Sequence, residues 1–286
     1  MKLYIILLLI LVSSLLYSVK PEKIEITHKA IAEISGIEML PCCDSLVFAV
    51  NDSGNPSEVY VLTLSGKVSQ IIPIPKQFKN NDWEDISAAQ IGEPNQGVLF
   101  IADTGNNKLL KTSYEIVLLF VTFKCGEDIP VQVDSLKSIK FTMDKNAYDA
   151  ETLIYDTQSG NLYVITKWSE FSKVFEISHP LTRTSDVFPA RFCGQLPISI
   201  VTGGDLDDTG KMLVLKTYIE VYFWNRQPGE SIWDMCSRTP DALLPYKSEP
   251  QGEAICWSPD NKFYYTLSER KSAKSVFLYK YLFSVD

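Results

Sequence analysis

One unit recurs five times along this chain, and that repetition limits the fold more than any other feature of the sequence. Each copy opens with a tetrad of small or acidic residues running into an apolar pair. A turn, a second strand ending in polar residues and one or two outer strands follow. The tetrads are Ile34-Ser35-Gly36-Ile37, Trp83-Glu84-Asp85-Ile86, Ala150-Glu151-Thr152-Leu153, Gly203-Gly204-Asp205-Leu206 and Gly252-Glu253-Ala254-Ile255, with closing residues 49, 67, 53 and 49 positions apart. The turns match as well: Asp156-Thr157-Gln158-Ser159-Gly160, Asp207-Asp208-Thr209-Gly210 and Ser258-Pro259-Asp260-Asn261 all follow the first strand. Asp52-Ser53-Gly54-Asn55 and Asp103-Thr104-Gly105-Asn106 end the second strands of the first two copies.

The segments between turns are short runs rich in Val, Ile, Tyr, Phe and Trp, such as Leu46 to Val50, Val98 to Ala102, Leu162 to Thr166, Ile219 to Trp224 and Val276 to Phe283. They are strand sequences, many of them apolar on both faces, as a sheet packed between two others requires. Repeats of about 50 residues with four strands each describe blades of an all-β fold, a single β-propeller. Five tetrads predict five four-stranded blades. The last copy has only three strands, while an orphan strand, Lys23 to Ala30, precedes the first tetrad, so the N-terminal strand is expected to complete the last blade and close the ring. The long interval holds an insertion, Asn107 to Lys145, which leaves six blades as the alternative.

The tetrads Asp82-Trp83-Glu84-Asp85, Tyr148-Asp149-Ala150-Glu151, Thr202-Gly203-Gly204-Asp205 and Gln251-Gly252-Glu253-Ala254 resemble those of a group of secreted, largely uncharacterised propeller proteins. More distantly the chain is similar to the esterase-like phytase and strictosidine-synthase-like propellers, and in blade number to calcium-activated apyrases, whose signature segments it lacks. This resemblance implies fold far more than chemistry.

Innermost strands line a propeller's channel, so equivalent tetrad positions converge there. Glu84, Glu151 and Glu253 are equivalent, Ser35 and Gly204 fill the other two places, and Asp205 stands one step later. Three carboxylates in one channel repel unless protonated or joined by a cation, and a hard ion such as calcium suits an all-oxygen site. Glu84, Glu151 and Glu253 are therefore the candidate metal ligands. Propeller acids also bond to backbone amides of the next blade, and Asp205 alone is expected to do that. Second strands end at the channel mouth, which makes Asp52, Asp103, Lys167, Trp168, Lys216 and Glu269 the candidate ligand rim. Asp52 and Asp103 also favour turns on local grounds. Lys167 and Lys216 offer cations for a ligand's phosphate or carboxylate, or for neighbouring acids.

Charge and composition narrow the function. With 27 Lys and Arg against 35 Asp and Glu, the chain carries −8 and lacks the basic surface that nucleic acid requires. Two His, His28 and His179, cannot build a three-His zinc site. No GxSxG, P-loop, HExxH or EF-hand spacing occurs, so covalent catalysis has no support. Met1 to Ser18 has a basic start, a short apolar core and small residues before a cleavage point, which reads as a secretory signal peptide, with a membrane anchor the weaker alternative. The domain division is thus 1–18 signal and 19–286 propeller. Six Cys in an oxidising compartment predict disulfides, in any of 15 pairings, with Cys256 the best candidate for a buried thiol.

The leading expectation is a secreted, monomeric propeller whose acidic channel binds calcium and presents a pocket to a small or extended extracellular ligand. A calcium-dependent phosphoester or ester hydrolase using Glu151, Lys167 and Lys216 is the alternative, and a protein-interaction scaffold with a structural pore is the third.

Overall fold

The repeats fold as the apolar runs dictate, through strands joined by turns that need a left-handed residue. Gly160, Gly210 and Asn261 take φ of 70°, 69° and 59° at the equivalent hairpins, a conformation open to Gly and tolerated by Asn. Side chains hold the same turns: Asp156 accepts from Gln158 N at 3.1 Å and Asp207 from Lys211 N and Met212 N at 2.6 Å.

The structure, a computed structural model, describes residues 20–126, 129–167, 170–184, 186–270 and 275–284. After β1 (Glu22–Ile26), the first unit comprises β2 (Ile34–Glu38), β3 (Leu46–Asn51), β4 (Glu58–Thr63) and β5 (Val68–Pro73). The second is β6 (Trp83–Gln90), β7 (Gln96–Asp103), β8 (Tyr114–Thr122) and β9 (Gln132–Met143). The third is β10 (Ala150–Asp156), β11 (Asn161–Thr166), β12 (Lys173–Ile177) and β13 (Phe188–Gln195). The fourth is β14 (Gly203–Leu206), β15 (Met212–Lys216), β16 (Val221–Asn225) and β17 (Ala242–Leu244), with α1 (Ile232–Ser237) between its last two strands. The fifth is β18 (Gly252–Trp257), β19 (Phe263–Ser268) and β20 (Val276–Leu282).

Each unit is an antiparallel meander, and β1 completes the fifth by pairing with β20 from Glu22↔Lys280 to Ile26↔Val276. The stretch 107–145 supplies β8 and β9. The outer strands of the second and third units join edge to edge in a parallel pair, Phe188↔Phe141 to Ala190↔Met143, which covers two edges that would otherwise lie open.

The inner strands β2, β6, β10, β14 and β18 each pack on the next, and β18 returns to β2. Five apolar clusters accordingly lie between neighbouring units, such as Phe48, Val59 and Val61 against Trp83, Leu99 and Val117. That layering explains why the runs are apolar on both faces. Polar stitches cross the same boundaries: Ser35 Oγ donates to Trp83 O at 2.9 Å, Asp85 Oδ2 accepts from Leu153 N at 2.8 Å, and Asp205 Oδ2 accepts from Trp257 N at 2.7 Å. The chain is an all-β propeller closed by its N-terminal strand.

The disulfide expectation is corrected here, since all six cysteines are free. Cys256 and Cys236 are fully buried among apolar side chains. The Cys125 thiol donates to Cys42 O at 3.0 Å in place of a bridge. The expected signal, 1–18, lies outside the described residues. Among the described residues no helix is long and apolar enough to cross a membrane.

Candidate functional site

Four of the five inner strands begin with a β-bulge. The ladder skips one residue between Ile34 and Gly36, Trp83 and Asp85, Ala150 and Thr152, and Gly252 and Ala254. The skipped residues are Ser35, Glu84, Glu151 and Glu253, so the bulge re-aims the tetrad position that the sequence singles out. The fourth unit has no bulge. Gly204 pairs with Leu215, the rung that Gly36, Asp85, Thr152 and Ala254 occupy elsewhere, so its equivalence to the glutamates is corrected by one step.

The acids meet at the mouth. Carboxylate oxygens of Glu84, Asp149 and Glu151 lie within 4.8 Å of one another, and those of Asp52, Asp82 and Glu84 do likewise. Glu84 therefore belongs to both groups. It is 3% exposed, and no donor among the described residues reaches its carboxylate. Burial first, then Glu151, Asp52, Glu253 and Asp149, push it well above the usual carboxylate range. Asp149 Oδ1 accepts from Asn106 N at 2.6 Å. Gly105 leaves room for this cluster, since a Cβ there would overlap Glu84 Oε1 and come 2.5 Å from Asp82 Cγ.

Glu253 is drawn to the other side. The Lys167 ammonium donates to Glu151 Oε1 and reaches Glu253 Oε1 at 3.4 Å, while Tyr218 OH donates to Glu253 Oε1 at 2.8 Å. Burial opposes the charge on Lys167, but Glu151 and Glu253 outweigh it and raise the ammonium above its ordinary pKa. Glu151 is raised by burial and by Glu253 against the pull of Lys167. Its Oε2 has no hydrogen-bond partner among the described residues. The channel thus splits into a side around Lys167 and a side around Glu84 where no ion pair to Glu84 occurs among the described residues.

The rim residues disperse. Asp52 is held at about 6 by burial, with Asp82 and Glu253 adding to the rise and Ser53 opposing it. Glu269, bonded to Gln251 Nε2 at 2.8 Å, is raised to about 7 by burial and then by Glu253, Asp52 and Glu33. Asp103 is taken up by Asn81 Nδ2 at 2.6 Å, Asp82 N at 3.1 Å and Lys111 Nζ at 3.3 Å. Lys216 is fully buried, donating to Gly252 O and Thr217 O beneath the Tyr246 ring at 4.6 Å. Burial lowers it to about 8, against the pull of Glu249 and Glu253. It therefore faces the protein rather than the rim. Trp168 lies outside the described residues. Asn51 matches a glycosylation sequon, yet it is 1% exposed and its Nδ2 donates to Ala30 O at 2.8 Å.

Sequence reasoning missed Asp82 and Asp149. Each stands two residues before a tetrad glutamate, and an Asp-x-Glu in two successive copies was the available signal, since alternate strand residues share a face.

No family model and no curated protein matches the chain. Solved structures similar to it include a chain of the nidogen/laminin complex, 15% identical with TM-score 0.47, covering 83% of this chain and 73% of that one. The β-propeller domain of Cps50 (Swd1) from Myceliophteria thermophila is 11% identical with TM-score 0.42, covering 86% and 83%. A gluconolactonase from Xanthomonas campestris is 11% identical with TM-score 0.42, covering 82% and 68%. The chain's own strand order makes it a propeller.

Proposed function

We propose that the chain is a secreted propeller that binds a divalent cation, calcium by the all-oxygen donor set, at the mouth of its channel. Glu84 would be the central ligand, with Asp149 and Glu151 on one side and Asp52 and Asp82 on the other. The carrying observation is Glu84 itself: a buried carboxylate with acids on two sides and no donor among the described residues. Carboxylates so placed either protonate or share a cation, and two adjoining groups of hard oxygens match the high coordination number of calcium. Lys167, tied to Glu151 and Glu253, stands beside that position with a positive charge for an anionic group of an extracellular ligand. Calorimetric titration of Ca²⁺ into chelator-treated protein tests this: Glu84→Gln and Asp149→Asn should abolish binding, and a wild type without heat at about 1 mM ion ends the proposal.

A hydrolase is the second reading, and Glu151 favours it. Lys167 holds one of its oxygens, and Oε2, without a partner among the described residues, would orient a water on a polarised ester or phosphoester. It predicts calcium-dependent turnover in an ester and phosphoester screen that Glu151→Gln removes while the fold persists.

A further inference from the structure

The loops at the mouth end of the sheets carry bulky apolar side chains in solvent. Leu109 and Leu110, between β7 and β8, are 50% and 79% exposed; Ile200, between β13 and β14, is 37% exposed; Ile219, between β15 and β16, is 72% exposed. Each is fastened to the acidic channel. Leu109 N and Leu110 N bond Asn106, whose own N–H donates to Asp149 at 2.6 Å. Ile200 N bonds Lys167 O at 3.3 Å, and Ile219 adjoins Tyr218, whose hydroxyl holds Glu253. Leu109 and Ile200 take φ of 52° and 59°. A branched apolar residue there is strained where Gly or Asn would not be, and such strain gathers at binding sites.

Across the mouth, the first and fifth units present acids instead. Asp52 N bonds Glu33 O at 2.7 Å, Asn55 Nδ2 donates to Glu33 Oε2 at 2.7 Å, and Gln251 Nε2 donates to Glu269 Oε1 at 2.8 Å, which places Glu33 and Asp52 on the first unit and Glu269 on the fifth. Arg270, the neighbouring cation, is engaged by His28 O at 2.6 Å, and its N–H bonds Ala32 O. One lip therefore exposes apolar side chains, with Lys108 and Lys111 flanking two of them, and the other carries three acids beside Arg270, over a well that is itself acidic.

We propose that this mouth docks a protein segment in which a basic side chain is flanked by apolar ones. The basic group pairs with Glu269 and Asp52, and the apolar neighbours cover Leu109, Leu110, Ile200 and Ile219. Charge complementarity selects this occupant. An anionic bilayer would meet the acidic lip of a chain carrying −8, which opposes membrane docking. The inference rests on the mouth being the binding face of the proposed function, not on the cation.

The test uses synthetic peptides as probes, read by fluorescence anisotropy on the mature chain: Ser-Leu-Leu-Arg-Leu-Leu-Ser, the same peptide with Glu for Arg, and the same peptide with Ser for every Leu. The Arg peptide should bind, and both counterparts should bind about tenfold or more weakly. The double variant Leu110→Ser/Ile219→Ser should weaken the Arg peptide about tenfold or more, as a loss of apolar anchors does. Its Ca²⁺ titration should match the wild type, and a titration that fails while the peptide still binds removes only the cation reading. No binding up to about 1 mM, equal binding of the Glu peptide, or indifference to the double variant overturns the proposal. So does a finding that the double variant abolishes self-association, or sedimentation with phosphatidylcholine/phosphatidylserine vesicles, without changing peptide binding.

Discussion

Replacing Glu84 by Gln should stabilise the ion-free protein at neutral pH. The substitution keeps volume and removes a charge that has acids within 4.8 Å in both groups. Each such pair at an effective dielectric of about 20 costs about 3.5 kcal/mol. Protonation caps the total: a carboxyl of ordinary pKa 4.5 can be neutralised at pH 7 for about 3.4 kcal/mol, so the gain cannot exceed that. An uncharged amide still needs burial, which leaves an expected gain of about 1–3 kcal/mol. The sign with pH follows from the raised folded-state pKa. Between 4.5 and that pKa the folded wild type binds more protons than the unfolded chain, so its stability falls as pH rises. The variant lacks that slope, and the difference should shrink toward zero near pH 4.5. Urea unfolding in chelator at pH 4.5, 6 and 7 measures it. A variant about 1 kcal/mol less stable at pH 7, or a difference independent of pH, would show that Glu84 makes a stabilising bond and refute the reasoning.

Lys167→Met should cost about 3–5 kcal/mol at pH 7 by stranding Glu151 and Glu253; Lys167 pulls the raised Glu151 carboxyl down, so without the ammonium Glu151 rises further and the loss should be smaller at pH 5, by the same urea series. Asp85→Ala removes the acceptor of Ile86 N and Leu153 N, stitches of 2.9 and 2.8 Å, and should lower stability by about 2 kcal/mol while leaving Ca²⁺ titration unchanged. Deleting residues 20–30 removes fully buried Ile26, bares the edge of β20 and frees Asn51 Nδ2 and Arg270; a loss of about 3 kcal/mol or more and aggregation on heating are expected, and a soluble deletion that melts with the full chain counts against closure by β1.

The fold was legible because the signal repeats. Apolar runs sandwiched between neighbours, turns closed at Gly160, Gly210 and Asn261, and an orphan strand matched to a three-stranded end all belong to local patterns. The glutamates were legible as a set for the same reason. Less visible was how the channel divides them. A tetrad does not reveal that Lys167 takes Glu151 and Glu253, because that pairing crosses from the third unit to the fifth. Nor does it reveal the missing bulge in β14, which moves Gly204 and Asp205 one rung. Lys216 looked like a rim cation by alignment with Lys167, yet its long stem turns toward Gly252 O, a contact between units that no single repeat encodes. Cysteine count predicted bridges, but partners must lie within about 7 Å Cα to Cα with suitable geometry, which spacing along a chain cannot show.

The most direct test of the proposed calcium site is anomalous diffraction from crystals of the protein grown with Tb³⁺, an oxygen-seeking stand-in for Ca²⁺. A single strong peak about 2.3–2.6 Å from oxygens of Glu84, Asp149 and Glu151, absent in Glu84→Gln crystals, is the predicted result. A lanthanide found only on surface carboxylates, with Glu84 protonated and bonded to a neighbouring acid, would contradict the account.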